Sequence, residues 1–242
     1  MQKYELTDET MKIDVVTLHR IKALAAFADV EIGDTGGWVE KESNLDQDGD
    51  VWVYGDAKVY GDAMVSGDAQ VFGNARVSGN ARVSGDAMVS GNARVYGDAW
   101  VYGDAWVSGY AQVFGNARVY GNAWVYGNAR VYGDAWVSGD ARVSGNAWVY
   151  GNKHYMDISP IGSRDDSITF TRDKKGGIFA TVGCFYGSLP EFREKVMKRH
   201  GNTVHAQAYL LAAQLAELRI DTTPISDTQD EPTEGCEKGI AE

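Results

Sequence analysis

From Val53 to Val149 a valine returns at every sixth position, and from Ala57 to Ala147 an alanine returns two places before each valine. That period is neither the 3.6 of an amphipathic helix nor the alternation of a long strand. Inside one unit, Ala57-Lys58-Val59-Tyr60-Gly61-Asp62, the pattern is nevertheless local alternation. In an extended segment Ala57 and Val59 face one side while Lys58 and Tyr60 face the other. The Gly61-Asp62 pair then turns the chain, because Gly takes a positive φ without steric cost and Asp or Asn tolerates the left-handed region. Each unit is a short strand and a corner. Eighteen glycines, Gly49 to Gly151, keep this frame without an insertion, and only Tyr110 replaces the acid or amide that follows the glycine. Stacked units of this kind predict a solenoid with a Val and Ala interior.

Outside the frame the periodicity changes. Val15 to Ile21 reads as a strand, and Gly36-Gly37-Trp38-Val39 with Leu45 reads as an irregular first coil in approximate register. After the repeats, Ser167 to Thr171 and Ile178 to Val182 predict a hairpin joined through Lys174-Lys175-Gly176-Gly177. Ser188-Leu189-Pro190-Glu191 is a capping-box start with Pro in the first turn, and His200-Gly201 a stop; a second helix is expected from Val204 to Arg219. A solenoid needs covered ends, since an open coil exposes unpaired strand edges, and both flanks read as caps. From Thr222 onward Pro, Thr, Ser and acids predict disorder.

The unit resembles the hexapeptide repeat of left-handed parallel β-helices, the superfamily that includes acyltransferases and γ-class carbonic anhydrases. The resemblance covers Gly49 to Asn152, although here Gly lies two places after the inward Val and in many members one place after. It implies three units per coil, hence about six coils and a rod of roughly 29 Å at about 4.8 Å per strand. The expected architecture is mainly β: a left-handed parallel β-helix of about six coils of three hexapeptides, with an N-terminal cap and a small C-terminal α+β module. The expected divisions are residues 1–48 for the cap and irregular coil, 49–152 for the β-helix, 153–220 for a ββαα module and 221–242 for an acidic tail. Ile161-Gly162-Ser163-Arg164, Gly183-Cys184-Phe185 and Leu189 to Gly201, together with Gly36-Gly37-Trp38-Val39-Glu40 and Asn44-Leu45, resemble segments of uncharacterised phage and prophage proteins that carry such repeats. That resemblance implies a phage setting and the cytoplasm of a bacterial host.

With three units per coil, residues eighteen apart stack and the outward positions sort into three faces. One face pairs cations with aromatics: Arg94 beside Tyr96, Gln112 beside Phe114, Arg130 beside Tyr132. A ligand-binding reading takes Arg94, Tyr96, Phe114, Arg130 and Tyr132, with Ser163, Arg164 and Tyr186 from the module, as a surface that stacks a base and holds its phosphates. An interface reading takes Trp100, Trp106, Trp124 and Trp136 as the contact of a homo-oligomer, a trimer being one form, since aromatics and Arg are enriched at binding hot spots. A third reading needs no partner, because stacked side chains on neighbouring strands stabilise each other.

Charge and chemistry narrow these readings. The net charge of −11 is uneven: residues 1–48 carry −6, 49–152 carry −2, 153–220 carry +3 and the rest −6. An acidic chain disfavours nonspecific nucleic-acid binding, which requires a basic face. Two cysteines, Cys184 and Cys236, make no disulfide framework and fit a reducing compartment, and no apolar run approaches membrane-spanning length. No histidine lies between Gly49 and Asn152, so neither the histidine of the acyltransferases nor the zinc ligands of the carbonic anhydrases carries over to the coils. The expectation is no catalytic residue, no metal and no cofactor in the chain. Cys184 with His200 or His205 as base, and Ser163-Arg164 as an anion-holding turn, keep a module-based transferase and a module-based binder both open. The expected partners are a second copy of the chain and either a nucleotide-type small molecule or a host protein.

Overall fold

A computed structural model describes residues 2–225. The repeats form a parallel β-solenoid of about six turns whose strands are only two or three residues long. Each strand pairs with the strand eighteen residues on: Val53 with Val71, Val59 with Val77, Val65 with Val83. Three ladders result, running through Lys58–Val59 to Trp148–Val149, through Trp52–Val53 to Arg142–Val143, and through Met64–Val65 to Trp136–Val137. A unit donates to the coil ahead of it at alternate backbone amides, as Gln70 N–H to Ala87 O (3.0 Å), Phe72 to Val89 (2.9 Å) and Asn74 to Gly91 (2.7 Å). The Val and Ala of every unit form one continuous buried column.

The corner glycine is required twice over. Gly67 has a φ of 72°, and a Cβ there would lie 2.9 Å from the backbone nitrogen of Gly85 in the next coil. The following residue builds ladders of its own, with Asn80 Nδ2 donating to Asp98 Oδ1 (2.9 Å) and Asn116 Nδ2 to Asp134 Oδ1 (3.0 Å). At another corner Asp50, Asp68, Asp86 and Asp104 stack acid on acid.

The N-terminal end is closed by an antiparallel hairpin, Tyr4–Ile13 and Val16–Ala23, followed by Thr35–Val39. The expected strand therefore has a partner the sequence reading missed, and Val15, expected inside it, lies in the turn and is 96% exposed. Thr35–Val39 pairs antiparallel with the hairpin on one side and parallel with the coils on the other, Trp38 opposite Lys58. The offset is twenty residues instead of eighteen, which makes this first coil irregular. Lys3 reaches over the opening and its ammonium donates to Gly49 O and Val51 O, each at 2.9 Å.

The C-terminal module differs from the expected ββαα order. Four antiparallel strands, Tyr155–Ile161, Asp166–Arg172, Ile178–Val182 and Phe185–Ser188, lie in chain order, followed by helices α1 (Leu189–His200) and α2 (Val204–Arg219). The two unforeseen strands are the edges of the sheet, where Pro160 is tolerated and a short strand with Gly187 suffices. α1 begins as expected, with Ser188 N–H and Oγ both donating to Glu191 Oε2 (2.8 and 2.7 Å). The module has a separate core, built by Ile168, Phe170, Phe192, Ala213 and their neighbours.

Module and solenoid meet through hydroxyls. Arg142 N–H donates to Thr169 Oγ1 (2.8 Å), Ser144 Oγ meets Thr181 Oγ1 (3.1 Å), and Thr169 in turn donates to Asp157 Oδ1 (2.6 Å). Thr169 Oγ1 thus occupies an edge amide of the last coil that another strand would otherwise pair. Residues 221–225, expected to open a disordered tail, are held instead: the fully buried Arg172 donates to Asp221 O (3.1 Å) and Thr223 O (2.6 Å), and Ile225 is buried. The rest of the expected acidic tail, 226–242, lies outside the described residues.

Candidate functional site

Two regions gather the chemistry-bearing side chains, and they differ in what is left accessible. On the first solenoid face the expected aromatic row exists and is closed. Tyr96 stacks on Phe114 at 4.9 Å, Phe114 on Tyr132 at 4.8 Å, Tyr132 leans on Tyr150 at 5.6 Å, and Tyr150 meets His154 at 3.7 Å. Phe114 and Tyr132 are only 5% and 9% exposed. The strand spacing that aligns the rings also brings them into van der Waals contact, so Phe114 has a ring on each side, while Tyr96 has Ser78 one coil back. Arg130 lies over Trp148 at 4.6 Å, and Arg94 stands exposed at the edge of the row. Of the ligand residues expected on this face, the rings of Tyr96, Phe114 and Tyr132 are engaged with one another, Arg130 lies over Trp148 and Arg94 is exposed.

The four tryptophans separate. Trp100 and Trp136 belong to the ladder Arg82, Trp100, Arg118, Trp136, in which Arg118 lies between two indoles at 5.2 and 4.8 Å. Trp106 and Trp124 sit on another face, edge to face at 5.1 Å, with Trp106 Nε1 donating to Ser90 Oγ (3.1 Å). The four thus lie on two faces, because units in different positions of a coil point in different directions.

The module brings together what the coils keep apart. The turn Gly162–Arg164, the Gly183-Cys184 turn between two strands, the inward side of α1 and Tyr209 of α2 enclose a cleft of about 140 Å³. Ser163 and Arg164 line it, as do Cys184 and His200, which the sequence reading considered for chemistry, and Lys195 and Arg199, which it did not. Phe185, Phe192 and Val196 supply apolar walls, Phe192 standing edge-on to Tyr209 at 5.9 Å. Three permanent cations, Arg164, Lys195 and Arg199, face one carboxylate, Asp166. Arg199 and His200 also serve the helix, since cations in a last turn complement its free carbonyls. Lys195, one turn earlier, and Arg164, from a different element, have no such duty.

Gly162 shapes the rim. Its φ is 79°, and a Cβ there would fall 2.0 Å from the Tyr209 hydroxyl oxygen, so only glycine lets the turn close onto that ring. Burial raises the Tyr209 phenol above its ordinary range, with the Asp166 carboxylate adding to the effect, so it enters the site as a neutral donor. Tyr186 is elsewhere: its ring stacks on Phe179 at 5.5 Å and its hydroxyl reaches the solenoid backbone beside Gly145. Among the described residues no group of three or more His, Cys, Asp or Glu is placed to hold a metal, and no helix is long and apolar enough to cross a membrane.

His154, just past the last repeat, is a buried wedge between solenoid and module. Burial, with the neighbouring Arg172 guanidinium, lowers its pKa to about 4, which keeps the ring neutral against Tyr150.

The repeats match the family model described as the YdcK beta solenoid repeat, at residues 69–85, 81–95, 93–109, 111–127, 123–139 and 135–151. The chain is also similar to the "Uncharacterized acetyltransferase YdcK" of Escherichia coli K12, 36% identical over 62 residues. That alignment covers 22% of this chain and spans 19% of the length of that protein. Sequence pattern, coil geometry and family match agree on one identification: this chain is a β-solenoid repeat protein of the hexapeptide type.

Proposed function

We propose that the chain is a non-catalytic binding protein in which the solenoid is a rigid mount and the C-terminal module captures a small anionic ligand of nucleotide type. The observation that carries this reading is the convergence of Arg164, Lys195 and Arg199 on one apolar-walled cleft. Guanidinium groups give bidentate, charge-assisted hydrogen bonds to phosphate, the Gly162-Ser163 turn adds a hydroxyl, and Phe185 and Phe192 accept the edge of a ring. A cleft of about 140 Å³ takes the anionic group and part of a ring, leaving the remainder at its mouth. In the phage setting that the sequence resembles, such a protein sequesters a nucleotide-type signal from the host.

Isothermal titration with inorganic phosphate and a panel of mono-, di- and cyclic nucleotides tests the reading. Binding should weaken with salt and fall about ten- to a hundredfold in Arg164→Ala and in Lys195→Ala, the worth of one charge-assisted hydrogen bond. No heat with any of these ligands sinks it.

A second reading has two observations in its favour: Cys184 and His200 line the same cleft, and the Escherichia coli relative is named an acetyltransferase. Since the coils contain no histidine, acyl transfer here would rely on this pair. Acetyl-CoA turnover that is lost in both Cys184→Ala and His200→Ala would replace the binding reading by this one.

A further inference from the structure

Among the cations of the cleft stands a carboxylate that none of them holds. Asp166 lines the cleft with Arg164, Lys195 and Arg199, and among the described residues no ion pair joins it to any of the three. The three cations are exposed, whereas Asp166 is half-buried. Its Oδ1 accepts the backbone N–H of Ser167 (2.8 Å), which leaves most of the acceptor capacity of the group open. Its Oδ2 lies toward the Gly183-Cys184 turn, where a Cβ at Gly183 would meet this oxygen at 3.8 Å and, apart from its own chain neighbours, no other atom within 4 Å. A half-buried carboxylate repels a phosphate drawn to the cations beside it, so it penalises a ligand that is an anion and nothing more. A ligand that carries N–H donors next to its anionic group uses the same charge as an acceptor.

We propose that Asp166 reads the base and that the ligand is a guanine nucleotide, an assignment that rests on the cleft being a nucleotide-type anion site. Ionised phosphate offers acceptors only. Adenine and cytosine set one amino group beside a ring nitrogen that accepts, and uracil sets one N–H between two carbonyls, so each would turn lone pairs toward the carboxylate. Guanine sets two donors side by side, N1–H and the 2-amino group, matched to the two oxygens of one carboxylate. The ring also needs an apolar wall near that carboxylate. Phe185 supplies it: it is half-buried, it follows Gly183 by two residues, and it lines the cleft with Phe192. Ribose hydroxyls are the competing donors, but a sugar held at Asp166 would leave this aromatic wall unused. The phosphate then falls to Arg164, Lys195 and Arg199, with the Ser163 hydroxyl beside them.

Isothermal titration of the full chain with guanosine, inosine and adenosine monophosphates and with ribose 5-phosphate tests the assignment. Guanosine monophosphate should bind about ten- to a hundredfold more tightly than the adenosine compound, the worth of a hydrogen bond to a charged group. The inosine compound, which keeps N1–H and lacks the 2-amino group, should fall between them. Asp166→Asn keeps an acceptor for the Ser167 N–H and should erase the preference, while ribose 5-phosphate binds the variant at least as tightly as it binds the wild type. Equal affinities for the guanosine and adenosine compounds overturn the assignment and leave anion capture standing, provided ribose 5-phosphate binds. A preference that survives in Asp166→Asn, or a fall in its affinity for ribose 5-phosphate, overturns the role of Asp166. No heat with any of the four removes the anion site and the guanine assignment together. The inosine comparison needs no variant, so a failure of Asp166→Asn to fold does not protect the proposal.

Discussion

In the solenoid a residue's neighbours are set by translation, so the partner of almost every group is the same position eighteen residues on. In the module, neighbours come from unlike segments: a turn, a strand connection and two helices meet at one cleft. The first arrangement satisfies itself. Aromatic rings cover aromatic rings, Arg118 lies between indoles, and Asn donates to Asp. The second leaves Arg164 and Lys195 at the lining of a cleft with apolar walls. Repetition confers order on a surface and uses up its binding capacity in doing so, which is why the candidate site lies where the repeat stops.

The largest effect should come from breaking the translation. Gly85→Val places a branched side chain at a φ of 70° with its Cβ 3.0 Å from Gly103 N. It should destabilise the rod by about 3 kcal/mol in urea melts, whereas Gly139→Ala, at φ 68° but with nothing within 4 Å, should lose only about 1 kcal/mol. Equal losses would mean that the turn conformation alone, without coil contact, fixes the glycines.

Next comes the boundary between the regions. His154 has its folded pKa lowered to about 4, against about 6.5 for an unfolded imidazole. The unfolded chain therefore takes up the proton first, so this contribution is complete above pH 6.5, declines as the pH falls, and is gone near pH 4. The decline should be on the order of 2 kcal/mol, and His154→Phe should flatten that window in denaturation curves taken across it.

Smaller effects belong within the solenoid. Trp100→Thr removes the indole between Arg82 and Arg118 and should lower stability by about 0.5 to 1 kcal/mol without changing mass in solution or ligand affinity. A change in assembly state would place an interface at the tryptophans. Smallest of all, Asp86→Asn interrupts the run of stacked acids and should raise stability by a few tenths of a kcal/mol, a gain that disappears in high salt.

The two regions were also unequally legible. The Val and Ala column, the glycine corners and the eighteen-residue stacking all follow from the six-residue period, because every unit states the same constraint again. What the period does not state is distance. It places Phe114 beside Tyr132 but not the 4.8 Å contact that closes the row. The strand Tyr4–Ile13 was missed because its charged, exposed residues pair only with the hairpin partner. In the module, the sequence marks Ser163-Arg164 as a turn followed by a cation but assigns nothing to Lys195 and Arg199. Their spacing of four, alternating with Phe192 and Val196 on the same side of α1, was the available signal.

The hydroxyl junction at the last coil has a consequence for how such chains change length. Arg142, Ser144 and their threonine partners belong to the final coil and the module, so coils farther back take no part in the attachment. A duplication of eighteen residues in mid-array would carry the module forward by one strand spacing, about 4.8 Å, in an unaltered orientation. A duplication of six would also swing it by a third of a turn. The rod is thus a ruler with a fixed graduation, and recombination within the repeats can reposition the cleft without rewriting a single residue that forms it.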